Sequence, residues 1–119
     1  MTILIVDDDP SWLKIASRVF SSLKFRVLVA SAYSEAMTTA QRHRPDCILL
    51  DCSMRDGTPS AFCAALKADA GLKDTPVVIV SGSQENGERC GGDAFVLKGV
   101  PFSEITAAVD RVLKEKRSE

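Results

Sequence analysis

Polar side chains that could carry chemistry stand at the ends of short apolar runs in this chain. The carboxylates Asp7, Asp8 and Asp51 follow two of these runs, and the Ser81 hydroxyl and the Lys98 ammonium follow two others. A carboxylate nucleophile, a hydroxyl and an ammonium beside a divalent metal ion are the groups needed for phosphoryl transfer to an aspartate. Since these residues lie far apart in the sequence, that chemistry requires a fold that brings the ends of the runs together.

The apolar runs themselves predict five β-strands. Continuous apolar character without alternation is typical of strands that are covered on both faces of a parallel sheet. We predict strands over residues 3–6, 25–30, 46–51, 77–80 and 94–97. Apolar residues at helical spacing predict helices over residues 10–23, 34–43, 60–70 and 103–117, and they place Trp12, Phe20 and Leu23 on the inner face of the first helix.

The alternation of strands and helices predicts a single doubly wound α/β domain over residues 1–119. In such a sheet the carboxyl ends of the strands share one rim, and ligands bind there. This rim would gather the five polar residues. Carboxylates at close range disfavour one another's ionisation, so we expect a hard cation among them. Mg²⁺ fits, because it binds one or two carboxylates together with phosphoryl oxygens and waters.

Composition excludes several classes of function. The net charge of −1 and the pI of about 5.8 offer no basic surface, so we expect neither nucleic acid nor a membrane as a partner. The four cysteines form no CxxC pair, and the chain shows no secretory leader and no segment of membrane-spanning length. We therefore expect a cytoplasmic protein. The single histidine, His43, is interpreted as a surface residue at a polar helix end rather than as a catalytic group.

The order of the strand-end motifs resembles that of response-regulator receiver domains, the aspartate-phosphorylated half of two-component signalling. The resemblance covers essentially the whole chain. It is carried by Val6-Asp7-Asp8, by Asp51 after Ile48-Leu49-Leu50, by Ser81 after residues 77–80 and by Lys98 after residues 94–97. It implies a flavodoxin-like parallel sheet with the strand order 2-1-3-4-5.

The resemblance also assigns roles in phosphorylation. Asp51 would be the phosphoacceptor, and Ser81 and Lys98 would contact its phosphoryl group. Phe95 matches the aromatic switch position of the family, whose rotamer follows movement of the Ser81 hydroxyl. The family's phosphoryl donor is a phosphohistidine on a sensor histidine kinase or a histidine phosphotransfer protein. The chain would then be a signalling switch that acts on an unknown downstream protein, with no enzymatic activity beyond self-catalysed phosphotransfer and hydrolysis at Asp51.

The same resemblance implies the ligands of the Mg²⁺ ion. Asp8 would bind the ion directly and Asp7 would bind it largely through water. The acceptor Asp51 and the main-chain carbonyl of Ser53 would complete the protein's contribution.

Three features depart from the family pattern. Arg55 stands where the family usually has a proline, and Gly99-Val100 separates Lys98 from the proline that normally follows the lysine at once. Residues 83–93 contain three glycines and almost no apolar residue, so the family's fourth helix is predicted to be missing or reduced. Without that helix, the fourth and fifth strands would lose apolar cover, and we expect this edge to bind a partner or a second copy of the chain.

Two other functions are compatible with parts of the pattern. A degenerate receiver could act as a phosphorylation-independent binding module, which would explain Arg55 and the altered lysine loop. A phosphatase of the haloacid dehalogenase-like class also uses an aspartate nucleophile, and Asp56-Gly57-Thr58 is similar to part of its motif. The acid that such a phosphatase requires two residues after its nucleophile is Ser53 in this chain, which argues against that class.

Overall fold

The computed structural model describes residues 1–52, 54–82 and 91–117. Within this part of the chain there are five strands and four helices. In chain order they are β1 (Thr2–Val6), α1 (Pro10–Ser22), β2 (Arg26–Ala30), α2 (Tyr33–His43), β3 (Cys47–Asp51), α3 (Pro59–Ala68), β4 (Val77–Ser81), β5 (Ala94–Leu97) and α4 (Phe102–Arg117). All strand pairs are parallel, and the sheet order is β2-β1-β3-β4-β5. The predicted fold class and strand order are confirmed.

The sheet separates two apolar clusters, one on each face. Along β1, Leu4 and Val6 belong to the cluster formed with α2 and α3, whereas Ile3 and Ile5 belong to the cluster formed with α1 and α4. Successive side chains of a strand point to opposite faces, so a strand that is covered on both sides must be apolar at every position. This explains why β1, β3 and β4 run without hydrophobic alternation.

Local sequence signals set the starts of two helices. The Asp9 side chain caps α1 and accepts hydrogen bonds from the main chain of Ser11 and Trp12, and Pro10 occupies the first turn. Thr58 caps α3 in the same way, with Pro59 in its first turn. The remaining helices are positioned mainly by their packing on the sheet.

The prediction that Leu23 lies on the inner face of the first helix was wrong. α1 ends at Ser22, and Lys24 adopts a left-handed backbone with a φ of 73° that turns the chain towards β2. Leu23 therefore lies outside the helical stripe and is 51% exposed. Likewise, α3 ends at Ala68 rather than at residue 70.

The crossover from β4 to β5 is where the family's fourth helix was predicted to be missing or reduced. Residues 83–90 of this crossover lie outside the described residues. The expectation that β4 would lose its cover was wrong, because all five of its residues are buried. Val77 and Ile79 pack in the cluster of α2 and α3, and Val78 and Val80 pack in the cluster of α1 and α4. β5 is the outer strand, and its Leu97 is 39% exposed. None of the helices in the described ranges is long and apolar enough to span a membrane.

Candidate functional site

The carboxyl ends of the strands form one rim, and Asp7 stands on it directly after β1. The Asp7 side chain is fully buried. Its Oδ1 accepts a hydrogen bond from the Asp9 main chain at 2.9 Å, and its Oδ2 lies 2.8 Å from the Lys98 Nζ. Apart from this ion pair, Oδ2 has no hydrogen-bond partner in the described part of the chain. Asp7 therefore presents a buried, oriented oxygen to the rim.

Asp51 is the last residue of β3 and is also buried. Its Oδ1 lies 3.6 Å from the Lys98 Nζ. Its main-chain carbonyl accepts a hydrogen bond of 2.9 Å from the Tyr33 hydroxyl, which reaches over from the first residue of α2. The backbone of Asp51 is thus held on the α2 side while its carboxylate faces the lysine.

Asp8 completes an acidic cluster with Asp7 and Asp51. One oxygen from each carboxylate lies within 4.8 Å of the others, and Asp8 is the exposed member. Three hard oxygen donors with one side open to solvent suit a Mg²⁺ ion, which keeps several of its waters. The described residues therefore fit the predicted metal, while the predicted ligand Ser53 lies outside them.

Lys98 is the positive charge of the site. Partial burial alone would lower the pKa of its ammonium, but the hydrogen bond to Asp7 and the negative charge of Asp51 outweigh burial, and the pKa is raised. The Lys98 side chain nevertheless remains 26% exposed. The ammonium is therefore held charged between two carboxylates at the edge of solvent.

Ser81 and Phe95 lie on the β4–β5 side of the rim. Ser81 ends β4, is buried, and its main-chain carbonyl accepts a hydrogen bond of 2.8 Å from the Lys98 N–H. Phe95 pairs with Ile79 in the sheet and is half-buried against the cluster of α2 and α3. The main chains of Ser81 and Lys98 are thus hydrogen-bonded to each other. Phe95 lies on β5, three residues before Lys98.

The segment after Asp51 is tied to the start of α2. Ala32 occupies the N-cap position of this helix and offers no capping side chain, but the Asp56 carboxylate accepts hydrogen bonds from the main chain of Tyr33 and Ser34 at 2.9 and 3.0 Å. These bonds, the one from Ser34 first, lower the pKa of Asp56. Arg55 is exposed beside a cavity of about 390 Å³ that Asp8 and Asp56 also line.

Three contacts of the site were not predicted from the sequence. They are the Asp56 cap on α2, the Tyr33 hydroxyl on Asp51, and the Trp12 ring, whose centroid lies 5.3 Å from the Lys98 Nζ. The sequence placed Trp12 on the inner face of the first helix, where a packing role is expected. No sequence signal identified the Asp56 cap, because the predicted helix began at Ser34, itself a good capping residue, whereas α2 begins at Tyr33 with Ala32 at the N-cap position.

The sequence matches a known family over most of its length. Residues 3–110 match the family described as the response regulator receiver domain, so the chain belongs to this family. It is a receiver domain of two-component response regulators rather than a classical enzyme. Receiver domains bind Mg²⁺ in an acidic pocket, and this chain has an acidic cluster formed by Asp7, Asp8 and Asp51.

Individual relatives with similar sequences are also response regulators. The DNA-binding response regulator MtrA of Mycolicibacterium smegmatis is 30% identical over 122 aligned positions, which cover 98% of this chain and 52% of MtrA. The chain thus spans about half the length of the curated relatives that it matches.

Solved structures share the fold. Chemotaxis response regulator CheY4 of Vibrio cholerae has a TM-score of 0.85 at 24% identity, and the alignment covers 93% of this chain and 97% of CheY4. The receiver domain of the sensor histidine kinase PA1611 of Pseudomonas aeruginosa has a TM-score of 0.86 at 23% identity over 95% of this chain and 97% of its own, and that structure holds a magnesium ion in its active-site cleft.

Proposed function

We propose that this receiver domain is a phosphoacceptor switch that is phosphorylated on Asp51 in the presence of Mg²⁺. The observation that supports this proposal is the convergence of three carboxylates and one ammonium at a single rim, although their residues come from three different strand ends. Among these carboxylates, Asp51 suits the nucleophile because its backbone is held by Tyr33 while its side chain faces Lys98.

The phosphoryl donor is a phosphohistidine on a sensor histidine kinase or a histidine phosphotransfer protein. An Asp51 carboxylate oxygen attacks the phosphorus, the P–N bond breaks, and its electron pair leaves with the imidazole, which takes a proton from solvent. Asp7, Asp8 and Asp51 would hold Mg²⁺, with the Ser53 carbonyl as the further ligand that the family resemblance implies, and the ion would neutralise charge at the phosphoryl oxygens. Hydrolysis of the acyl phosphate returns Asp51 to its carboxylate form, so the switch resets itself.

Lys98 and Ser81 respond to the new group. The Lys98 ammonium lies between Asp7 and Asp51, so it can turn to the phosphoryl oxygens with a small movement of its flexible stem. The Ser81 hydroxyl is a donor at the same rim, and its displacement towards the phosphoryl group changes the space available to Phe95. The rotamer of Phe95 would then report phosphorylation at the outer strand.

Reaction with a small donor tests this function. Acetyl phosphate and Mg²⁺ should add the mass of one phosphoryl group to the intact protein, and the adduct should map to Asp51. We expect no adduct with Asp51→Asn or with EDTA, and a normal adduct with the control Asp110→Asn, which changes an exposed carboxylate on α4. An adduct that persists in Asp51→Asn would contradict the assignment of the acceptor.

The alternative is a binding module that does not depend on phosphorylation. The exposed Arg55 in place of the family's proline and the altered loop after Lys98 favour it. The same mass measurement separates the two functions. A wild-type chain that stays unmodified under conditions that phosphorylate another receiver domain would favour the binding module.

The downstream partner would bind at the outer face formed by β5 and α4. A cavity of about 460 Å³ between these elements is lined by Phe95, Leu97, Glu104 and Arg111 among others. Glu104 and Arg111 are of opposite charge on one surface, which allows each to pair with the other residue of a second copy across a two-fold axis. We therefore assign a second copy of the chain to this face.

Sedimentation velocity with Mg²⁺ and beryllofluoride, a phosphoryl mimic, tests this dimer. The wild type should associate, Arg111→Glu should remain monomeric, and the charge-swapped Glu104→Arg with Arg111→Glu should associate again. A monomeric wild type under these conditions would exclude the second copy and leave a different protein as the partner.

A further inference from the structure

We propose that Trp12 is a positioning residue for Lys98, and that its ring face holds the ammonium over Asp51. This inference rests on the proposed phosphorylation of Asp51. Trp12 lies in the first turn of α1, and Lys98 follows β5, so only the fold brings them together. The distance of 5.3 Å from the Lys98 Nζ to the ring centroid is within the range of a cation–π interaction.

The main chain of Lys98 is fixed, but its side chain is long and flexible. The Lys98 N–H donates to the Ser81 carbonyl at 2.8 Å, and the Val100 N–H donates to the Leu97 carbonyl at 3.3 Å, which closes a turn around Lys98 and Gly99. The turn sets the direction in which the side chain leaves the backbone, whereas the four-carbon stem lets the ammonium reach different positions. The position of the ammonium is therefore set by what it touches.

Trp12 is itself held from two sides. Its main chain donates to the Asp9 cap of α1, and its ring stacks on Phe102 at a centroid distance of 5.6 Å and an interplanar angle of 30°. Phe102 is the first residue of α4, directly after the loop that carries Lys98. The loop thus begins at Lys98, directly after β5, and ends at Phe102, whose ring stacks on the Trp12 ring that faces Lys98.

The ring differs from the other contacts of Lys98 in carrying no charge. The groups that face the ammonium are the carboxylates Asp7 and Asp51, with the charge of Asp9 further away. Asp7 and Asp51 are also the residues that would hold Mg²⁺, so a bound cation would compete with Lys98 for their oxygens. The Trp12 ring is a contact for which a metal ion does not compete, and it keeps the ammonium at the rim whether or not the carboxylates are occupied.

Trp12 also packs against the apolar cluster of α1 and α4, so a purely structural role must be separated from positioning. Fluorinated tryptophans achieve this separation, because successive fluorine atoms weaken the negative ring face while the shape of the residue is almost unchanged. Trp12 is the single tryptophan of the chain, so biosynthetic incorporation changes this ring alone.

The rate of phosphorylation by acetyl phosphate should fall stepwise from tryptophan through monofluoro- to trifluorotryptophan, while the urea midpoint falls by no more than the loss of one cation–π contact predicts. Trp12→Leu should lower the rate by about 2- to 30-fold, the range expected for loss of one cation–π contact. Trp12→Phe, which keeps a ring face, should restore part of that rate. A rate that is independent of fluorination, with an adduct still formed, would overturn the positioning role and leave Asp51 phosphorylation intact.

A second measurement does not depend on phosphorylation. The Lys98 ε-methylene protons of the wild type should show an upfield ring-current shift by NMR, in EDTA and in Mg²⁺, and the shift should vanish in Trp12→Leu. Absence of the shift in Mg²⁺ would overturn the proposal. If the shift is present but no adduct forms, the contact exists and the proposed function fails, and the positioning role fails with it.

Discussion

The two sides of Asp51 are built differently. On the α2 side, the Tyr33 hydroxyl holds the Asp51 carbonyl, and the Asp56 carboxylate ties the following segment to the first N–H groups of α2. On the β5 side, a single flexible ammonium is held by two carboxylates and by the Trp12 ring. Directional hydrogen bonds to the main chain fix one side, whereas charge attraction over a flexible stem leaves the other adjustable.

This difference suits the proposed role of Asp51, which must stay in place as the nucleophile while the groups around it respond to the added phosphoryl charge. A nucleophile gains from a fixed position because orientation lowers the entropy cost of reaction. A group that detects the added charge must be able to move, and Coulomb attraction depends only weakly on angle. The rigid side is therefore expected to respond little to ligands, whereas the adjustable side is expected to determine how stability changes when a ligand binds.

The largest expected effect is that of Lys98→Met in EDTA. Asp7 is fully buried and its Oδ2 meets the ammonium, so the variant leaves a buried carboxylate without a counter-charge. Breaking a buried pair costs about 3–5 kcal/mol, and partial exposure of Lys98 favours the lower end of this range. Urea unfolding measures the loss. Lys98→Arg keeps the charge and should lose less, and an equal loss in both variants would contradict the electrostatic account.

The stabilisation of the wild type by Mg²⁺ should be slightly smaller than the stability that Lys98→Met loses in EDTA. Binding at one hundred times the dissociation constant contributes about 2.7 kcal/mol. Because the cation also neutralises the carboxylates, Lys98→Met should lose less stability in Mg²⁺ than in EDTA. Asp8→Asn serves as the control, since Asp8 is exposed but belongs to the acidic cluster. If Asp8→Asn responds to Mg²⁺ as the wild type does, the metal does not bind at this cluster.

Tyr33→Phe probes the fixed side. The variant removes the hydrogen bond to the Asp51 carbonyl but keeps the ring that stacks on Phe62. We expect a loss of about 1 kcal/mol in the free energy of unfolding. The stabilisation by Mg²⁺ should be almost unchanged, because the carboxylates are untouched. A large drop in Mg²⁺ affinity would mean that the two sides are not independent.

The smallest effect is expected from Asp56→Asn, and it depends on pH. The folded-state pKa of Asp56 is lowered by the main-chain hydrogen bonds from Ser34 and Tyr33. Its contribution to stability is therefore present above the unfolded-state pKa of about 3.9 and is lost as the pH falls through the lower folded-state value. Urea titrations should show that the wild type exceeds the variant at neutral pH and that the difference shrinks below about pH 3.9. A difference that is constant across this range would contradict the assignment.

Most of the rim was predictable because its residues follow local patterns. Asp7, Asp8, Asp51, Ser81 and Lys98 each stand at the end of an apolar run, and parallel strands place such ends at one edge. The prediction failed where burial depends on neighbours outside the run. Leu23 fits the helical spacing of α1 but lies beyond the end of the helix, and β4 keeps its cover because its side chains pack into the apolar clusters on both faces of the sheet.

The sequence by itself determined the five strands and the polar residues at their ends, because periodicity and strand ends are local properties of a chain. The strand order was implied only by the resemblance to receiver domains. Only the tertiary structure decided what surrounds Asp51. The Asp56 cap joins residues 23 positions apart, and the Trp12 ring meets a lysine from the opposite end of the chain. Contacts of this kind depend on helix placement and side-chain rotamers, which no short sequence pattern encodes. The tertiary structure therefore determined that Asp51 has a fixed side towards α2 and an adjustable side towards β5.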